Sequence, residues 1–423
     1  MVVGAGIIGL ASAYHIKLQD PSANVLIVDK APAAGQGNTA KSAGGVRNLF
    51  SSEISQTLAD TSISFYADQQ EKRGIDLGLR LIGYLWLVSG RQFKKFESIE
   101  DNLHRAGAQF KLWNADELLE MMPDFRPMLD ADDPETRIMN LDDVAMGIQG
   151  IRSGIVDVEK LVRFYEEQFR NLRGNVLYGV PVERLLVEPR RRIGIDGEPF
   201  EWQDKVISGV KTPRGEIRAR KLVIAPGAWG RELLDPIGVD CHMNPVRKMI
   251  FVLRGSKAEG LLMTRGFNEY GIMPLTILPK GGVYLRPVPR EAAFYTAMTE
   301  DLGRAFAKSE YPAVEESFYI HNLNPVLSKY FPTLKGLRPS NMWAGRQDWG
   351  SMDRNPYVFE RGGAVIALAT AGNGISRADA IGRIVAALSR GEKEARLYGA
   401  KKFEASKLGE LNRVIEREGP ILE

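Results

Sequence analysis

At 423 residues the chain has room for two or three domains, and a composition of 44% hydrophobic and 26% charged residues is ordinary for a water-soluble globular protein. The net charge of +3 gives no basis for nucleic-acid binding, and a single cysteine, Cys241, excludes an internal disulfide and any cysteine-based metal site. No apolar run approaches the roughly 20 residues of a membrane span and no signal peptide is evident, which fits a cytoplasmic protein and leaves peripheral contact with the inner face of the membrane open.

The chain opens on "MVVGAGIIGL". Residues 1–3 read as the stub of a strand. "LASAYHIKL" reads as a helix with Leu10, Tyr14 and Leu18 on one face, and "NVLIVDK" as a fully apolar strand ending at Asp29. Gly4 permits the tight turn, Gly6 lets a pyrophosphate approach the backbone, and Gly9 lets the helix pack on the strand. The helix N-terminus offers N–H groups and positive potential to phosphate. Asp29 stands where a carboxylate accepts hydrogen bonds from a ribose diol. Strand, turn, helix, strand and acid in this order predict a dinucleotide site. "GNGISR" at 372–377 carries Arg377 where a third glycine would stand, so no second fingerprint follows and one nucleotide is expected.

"NTAKSAGGVRNLFSSE" at 38–53 is rich in small residues, which suits backbone wrapped around a ligand. Ser51 or Ser52 caps a helix with Ile54, Leu58, Thr61 and Phe65 on one face. "LIGYLWLV" at 81–88, "VRKMIFVL" at 246–253 and "GGVYLRPV" at 281–288 read as strands of aromatic and branched residues. A hairpin turns at Pro213-Arg214-Gly215, and the next strand runs into Pro226-Gly227. Residues 362–388 form an apolar strand, a glycine turn and a helix with Ile381, Ile384, Val385 and Leu388 facing the core. In the tail, 391–423, the stretch 400–418 predicts a charged amphipathic helix carrying Phe403, Leu408, Leu411 and Ile415, read as a surface helix or dimer contact, with Ile421 and Leu422 folding back over the active-site mouth as the sharper alternative.

Across nearly its whole length the chain resembles the FAD-dependent D-amino-acid oxidase family, in its sarcosine oxidase, glycine oxidase and dye-linked proline dehydrogenase branch. The resemblance rests on "GAGIIG", "SAGGVR", "GIVDVEKLV", "KLVIAPGAW", "GGVYLRPVP", "WAGRQDW" and "TAGNGIS". It implies an α/β fold. A Rossmann-like FAD-binding domain, at 1–80, 150–240 and 325–390, would interleave with an α+β substrate domain on a mostly antiparallel sheet, at 81–149 and 241–324. It also implies FAD as the sole nucleotide. The first turn would contribute Gly4, Gly6, Ile7, Ile8, Gly9, Asp29 and Lys30 to that cofactor. Further along the same segment it would receive Lys41, Ser42, Ala43, Gly44, Gly45 and Val46, and from the 150–240 segment Pro226, Gly227 and Trp229. Gly372, Asn373, Gly374, Ile375 and Ser376 would cover the flavin from the far end of the chain.

Oxidising an amine at a flavin moves a hydride from carbon to the ring, so the protein must hold the C–H in place and clamp the substrate carboxylate. An arginine fork does this best. Arg47 matches the arginine that pairs with substrate in sarcosine oxidases; its alternative role is a salt bridge or a phosphate contact. Arg346 is the second choice, with contact to the flavin ring as the alternative. Arg286, Tyr270 and Tyr284 are further candidates on strands of the substrate domain, Tyr284 as pocket wall or core. In sarcosine oxidases that attach flavin through a cysteine, that position aligns with Arg346 here, so non-covalent FAD is expected. Ser376 replaces a carboxylate-binding lysine, and Tyr284 aligns with a lysine that promotes the oxygen reaction, which favours a dehydrogenase. The expectation is an amino-acid dehydrogenase, with proline first and sarcosine or glycine next, passing electrons to a quinone, an artificial dye or another carrier. It would act alone, as a homo-oligomer or in a heteromeric complex, without nucleic acid. A 2-hydroxy-acid or glycerol-3-phosphate dehydrogenase and a non-catalytic flavoprotein assembly factor are the alternatives.

Overall fold

The computed structural model describes residues 1–105, 107–298, 311–370, 372–411, 413, 415 and 416. Two β-sheets carry the fold. The first has six strands, in the order Tyr357–Arg361, Ala364–Leu368, Leu222–Ile224, Val2–Val3 (β1), Leu26–Val28 (β2) and Asn175–Leu177. Its neighbours are parallel except at the Tyr357–Arg361 edge. The parallel interior explains the unbroken apolar runs in the sequence, because both faces are covered. Val2, Ile27, Val223 and Val365 are all buried in one core with the helix Ile7–Gln19 (α1) and the helix Gly374–Ser389. These two helices cross at Gly382, where an added Cβ would come 2.8 Å from the Ala11 carbonyl.

The second sheet has eight strands, in the order Asn341–Gly350, Met243–Arg254, Ala293–Met298, Val283–Val288, Leu275–Ile277, Tyr84–Val88, Met146–Gly150 and Phe110–Asn114. Only Leu275–Ile277 and Tyr84–Val88 run parallel, so the sheet is mostly antiparallel, as expected. Phe251, Leu285, Phe294, Tyr330 and Phe331 fill the core on one face. Asn341–Gly350 falls in the segment expected with the cofactor unit, yet it pairs along its whole length with Met243–Arg254. The predicted hairpin is present as Lys205–Thr212 against Gly215–Arg218. The helix Glu53–Glu71 (α2) begins as read: the Ser52 side chain accepts from the Ser55 N–H. Its predicted apolar face is buried at Ile54, Leu58, Thr61 and Phe65.

The tail corrects its prediction. Instead of an amphipathic helix, Glu394–Arg396 pairs antiparallel with Lys402–Glu404, followed by a turn at Ala405–Leu408. Burial here has period two, with Ala395, Leu397, Phe403 and Ala405 inside and their neighbours out. Gly399, at φ +73°, makes the reversal. Phe403 and Leu408 join the core of the six-stranded sheet, while Leu411 and Ile415 are exposed. Ile421 and Leu422 lie outside the described residues. Among the described residues, no helix is long and apolar enough to cross a membrane.

Candidate active site

The glycine turn after β1 separates into three roles. Gly4 has φ +104°, and a Cβ there would lie 2.3 Å from the Ala225 carbonyl oxygen. A Cβ at Gly9 would lie 1.9 Å from the Gly4 carbonyl oxygen. Both glycines are required by the protein's own packing. Gly6 is different: its φ is −71°, and the nearest atom to an added Cβ is Thr39 Oγ1 at 3.4 Å. Nothing inside the chain demands glycine there. The free space lies at the N-terminus of α1, where Gly6 caps the helix without a side chain and where phosphate is favoured. That fits a dinucleotide pyrophosphate. Asp29 is fixed beneath the turn, accepting from the Ala5 N–H at 2.5 Å and the Ala31 N–H at 2.7 Å.

From this turn a cavity of about 750 Å³ extends to the eight-stranded sheet. On the cofactor side it is lined by Ile7, Lys41, Ser42, Ala43, Gly45 and Arg47. Gly372, Asn373, Gly374 and Ile375 close it from the N-terminus of the Gly374–Ser389 helix. Ile250, Leu275, Ile277, Tyr284 and Met298 line it from the sheet. Among the described residues, Lys41, Arg47, Lys248, Arg346 and Arg354 line the cavity with one carboxylate, Asp348. Such a chamber suits an anionic cofactor and an anionic substrate.

Three of the five predicted substrate residues, Arg47, Arg346 and Tyr284, meet in this cavity. The Arg47 guanidinium carbon lies 4.3 Å from the Phe50 ring centre and 5.7 Å from that of Trp86, and Nη1 donates to the Leu49 carbonyl at 3.3 Å. Arg346 is buried, 5.5 Å from the Trp229 ring, which Lys30 also approaches at 4.2 Å. This brings the Pro226-Gly227 turn beside the strand that carries Arg346. Arg286 and Tyr270 are not among the lining residues. Strand alternation puts Arg286 on the same face as Tyr284, but Gly44 and Val156 cover it, and it donates to the Pro287 and Val156 carbonyls at 3.1 and 3.4 Å. Tyr270 is in the loop organised by Asn268 and is half exposed. Gly44, Val46 and Ser376 sit behind the cavity wall, and Ile8 in the core. The sequence reading missed Lys248, Asp348, Trp349 and Arg354. Alternation along "VRKMIFVL" pairs Lys248 with Ile250 and offered a signal for the first; nothing local marked Arg354.

Burial pushes the Asp348 carboxyl up to about 6, against an ordinary value of 3.8, although backbone N–H groups at 369 and 370 favour its charge. A raised carboxyl contributes stability in full below its unfolded value and loses it as pH rises through its folded value. The window is therefore about pH 4 to 6, and two units correspond to roughly 3 kcal/mol. Asp348→Asn keeps an acceptor oxygen and removes the charge. Its melting temperature relative to wild type is expected to be higher at about pH 7.5 than at about pH 4.5. Thermal unfolding at both values checks this, and an equal offset at both would refute it.

A glycine turn at a helix N-terminus beside a cation-lined cavity fits a flavin-dependent oxidoreductase. The chain belongs to the FAD dependent oxidoreductase (DAO) family, whose profile matches residues 1–388; FAD is its cofactor. It is 23% identical over 416 residues to FAD-dependent oxidoreductase domain-containing protein 1 of Xenopus laevis, covering 92% of this chain and 78% of that one. The solved structure of L-proline dehydrogenase from P. horikoshii matches it with a TM-score of 0.73 at 20% identity, over 92% of this chain and 93% of that one. Glycine oxidase from Geobacillus kaustophilus matches with a TM-score of 0.69 at 19% identity, over 98% of both chains.

Proposed function

We propose that this chain is an amino-acid dehydrogenase that oxidises a small secondary or α-amino acid, with proline as the first substrate to test and sarcosine or glycine next. The observation that carries the reading is Arg47. Its guanidinium is held by Phe50 and Trp86 at the wall of a cavity that also contains the flavin-covering turn. An arginine so held offers a fork of N–H donors to a carboxylate. The similarity in fold to a proline dehydrogenase and a glycine oxidase supports the same substrate class. Bound FAD supplies the hydride acceptor. The chain's part is to orient the substrate by its carboxylate and to wall the reacting carbon from water with Ile250, Leu275 and Ile277. Electrons pass to a quinone or other carrier rather than to oxygen; in support, the strand Val283–Val288 contributes Tyr284 and no cation to the cavity. Non-covalent FAD is part of this reading; in support, Cys241 is buried in a separate cluster with Val3 and Leu222.

Anaerobic titration with L- and D-proline, sarcosine, glycine and a 2-hydroxy acid, followed at the flavin band, tests the reading. Bleaching by an amine is expected. Bleaching by the hydroxy acid alone would move the substrate class, and bleaching by none would leave a flavoprotein without this turnover. Arg47→Ala is expected to raise KM by about 10- to 100-fold, the loss of a charged hydrogen-bond pair, at unchanged flavin content. Loss of flavin instead would reassign Arg47 to the cofactor.

A further inference from the structure

The loop after the Asn341–Gly350 strand carries Arg354 at φ +61°, a left-handed conformation that strains a residue with a side chain. Arg354 lines the cavity, and its guanidinium carbon lies 4.4 Å from the centre of the Trp349 ring. Lys248 Nζ lies 5.7 Å from the same ring. Both neighbours of Arg354 are pinned. Asp353 is fully buried and receives two bonds from Arg413, 2.8 Å from Nε and 2.7 Å from Nη2. Arg413 also donates to the Pro356 and Asn355 carbonyls at 3.0 and 3.2 Å and lies 4.0 Å over the Tyr357 ring. Asn355, also fully buried, accepts from Ser52 Oγ at 3.2 Å and from Ser55 Oγ, and donates to the Glu416 carbonyl at 2.7 Å.

Strain of this kind persists only where the surroundings over-determine it, and it concentrates where a group must be presented to a ligand. Here the surroundings are a buried ion pair and a buried amide network, and the group they present is a cation on the cavity wall. Ser52 and Ser55 follow Arg47 by a few residues, so the loop bearing Arg354 is cross-linked to the segment bearing Arg47.

We propose that Arg354 is a second anion-binding residue of the active site, acting with Arg47 on the carboxylate of the substrate, and that the C-terminal segment sets its position through Arg413. This rests on the amino-acid reading of the cavity. Arg354→Met keeps the aliphatic cover on Trp349 and removes the charge. Arg354→Lys restores the charge, and Arg354→Gly relieves the left-handed backbone.

The test titrates the holoprotein with pyrrole-2-carboxylate at the flavin band, with pyrrole-2-carboxamide as the uncharged control. Arg354→Met is expected to raise the carboxylate Kd by about tenfold or more, at unchanged flavin content and with the carboxamide Kd within about twofold. Arg354→Lys, which restores the charge without the fork, should bind the carboxylate more tightly than Arg354→Met and more weakly than wild type. Arg354→Gly should lose carboxylate affinity as Met does, with Tm at or above wild type. Full carboxylate affinity in Arg354→Met, or equal losses for carboxylate and carboxamide, would overturn the assignment; so would a wild type that binds no carboxylate. The readout is binding to resting flavin, independent of turnover. If no amine bleaches the flavin while carboxylate affinity still depends on Arg354, the amino-acid reading fails and the anion site stands. If an amine bleaches it and Arg354→Met binds carboxylate as wild type does, only the role of Arg354 is lost.

Discussion

Gly6→Val is expected to give a folded protein without flavin, whereas Gly9→Val is expected to give little folded protein at all. The two positions lie three residues apart in one motif, yet different partners fill the space a side chain would take. At Gly9 the obstacle is backbone, the Gly4 carbonyl oxygen 1.9 Å from the added Cβ, and α1 would have to move off the sheet. Overpacking against backbone in a core costs about 3 kcal/mol or more. At Gly6 the protein offers no obstacle closer than 3.4 Å, and the backbone angle is one any residue adopts. On the reading that the pyrophosphate lies at this helix N-terminus, a valine there would take its place. The Kd for FAD should rise by at least about tenfold, roughly 1.4 kcal/mol in binding, and the flavin-to-protein absorbance ratio should fall, while circular dichroism matches the wild-type apoprotein. Flavin retained in Gly6→Val would remove the cofactor from this turn.

Arg413→Met should lower the melting temperature by several degrees. The Arg413 and Asp353 side chains are 3% and 0% exposed, so removing the guanidinium strands a carboxylate in a dry site. Breaking a buried pair on one side costs about 3–5 kcal/mol, most of it the penalty of the abandoned charge. The double variant Arg413→Met with Asp353→Asn should therefore recover a large part of the loss. Differential scanning calorimetry of the single and double variants decides this. No recovery in the double variant would mean that Arg413 acts by packing on Tyr357 and not by neutralising Asp353.

The parallel strands and the glycine turn were legible because each is a local pattern with a local cause: apolar runs covered on both faces, and glycines at fixed offsets. The place of Arg47 on the cavity wall was legible from the motif around it. Arg286 was misplaced because alternation assigns a face and not the segment that covers it; Gly44 and Val156, distant in sequence, decide that. The tail was misread because charged residues between apolar ones satisfy a helical period as easily as a hairpin; the reversal falls at Gly399 and Ala400, both at positive φ. Arg354 left no trace, since its conformation depends on partners before residue 56 and after residue 412.

The strand order of the nucleotide-binding sheet bears on how the molecule is made. Val2 lies beside Val223, and the next strand outward is Ala364–Leu368. A ribosome adding 5–20 residues per second needs roughly 20–70 s between the first of these strands and the last. During that interval the opening ββ pair has an uncovered edge, and the phosphate cradle stands without its closing helix. The turn at the N-terminus of α1 is therefore made long before the Gly374–Ser389 helix that packs against it.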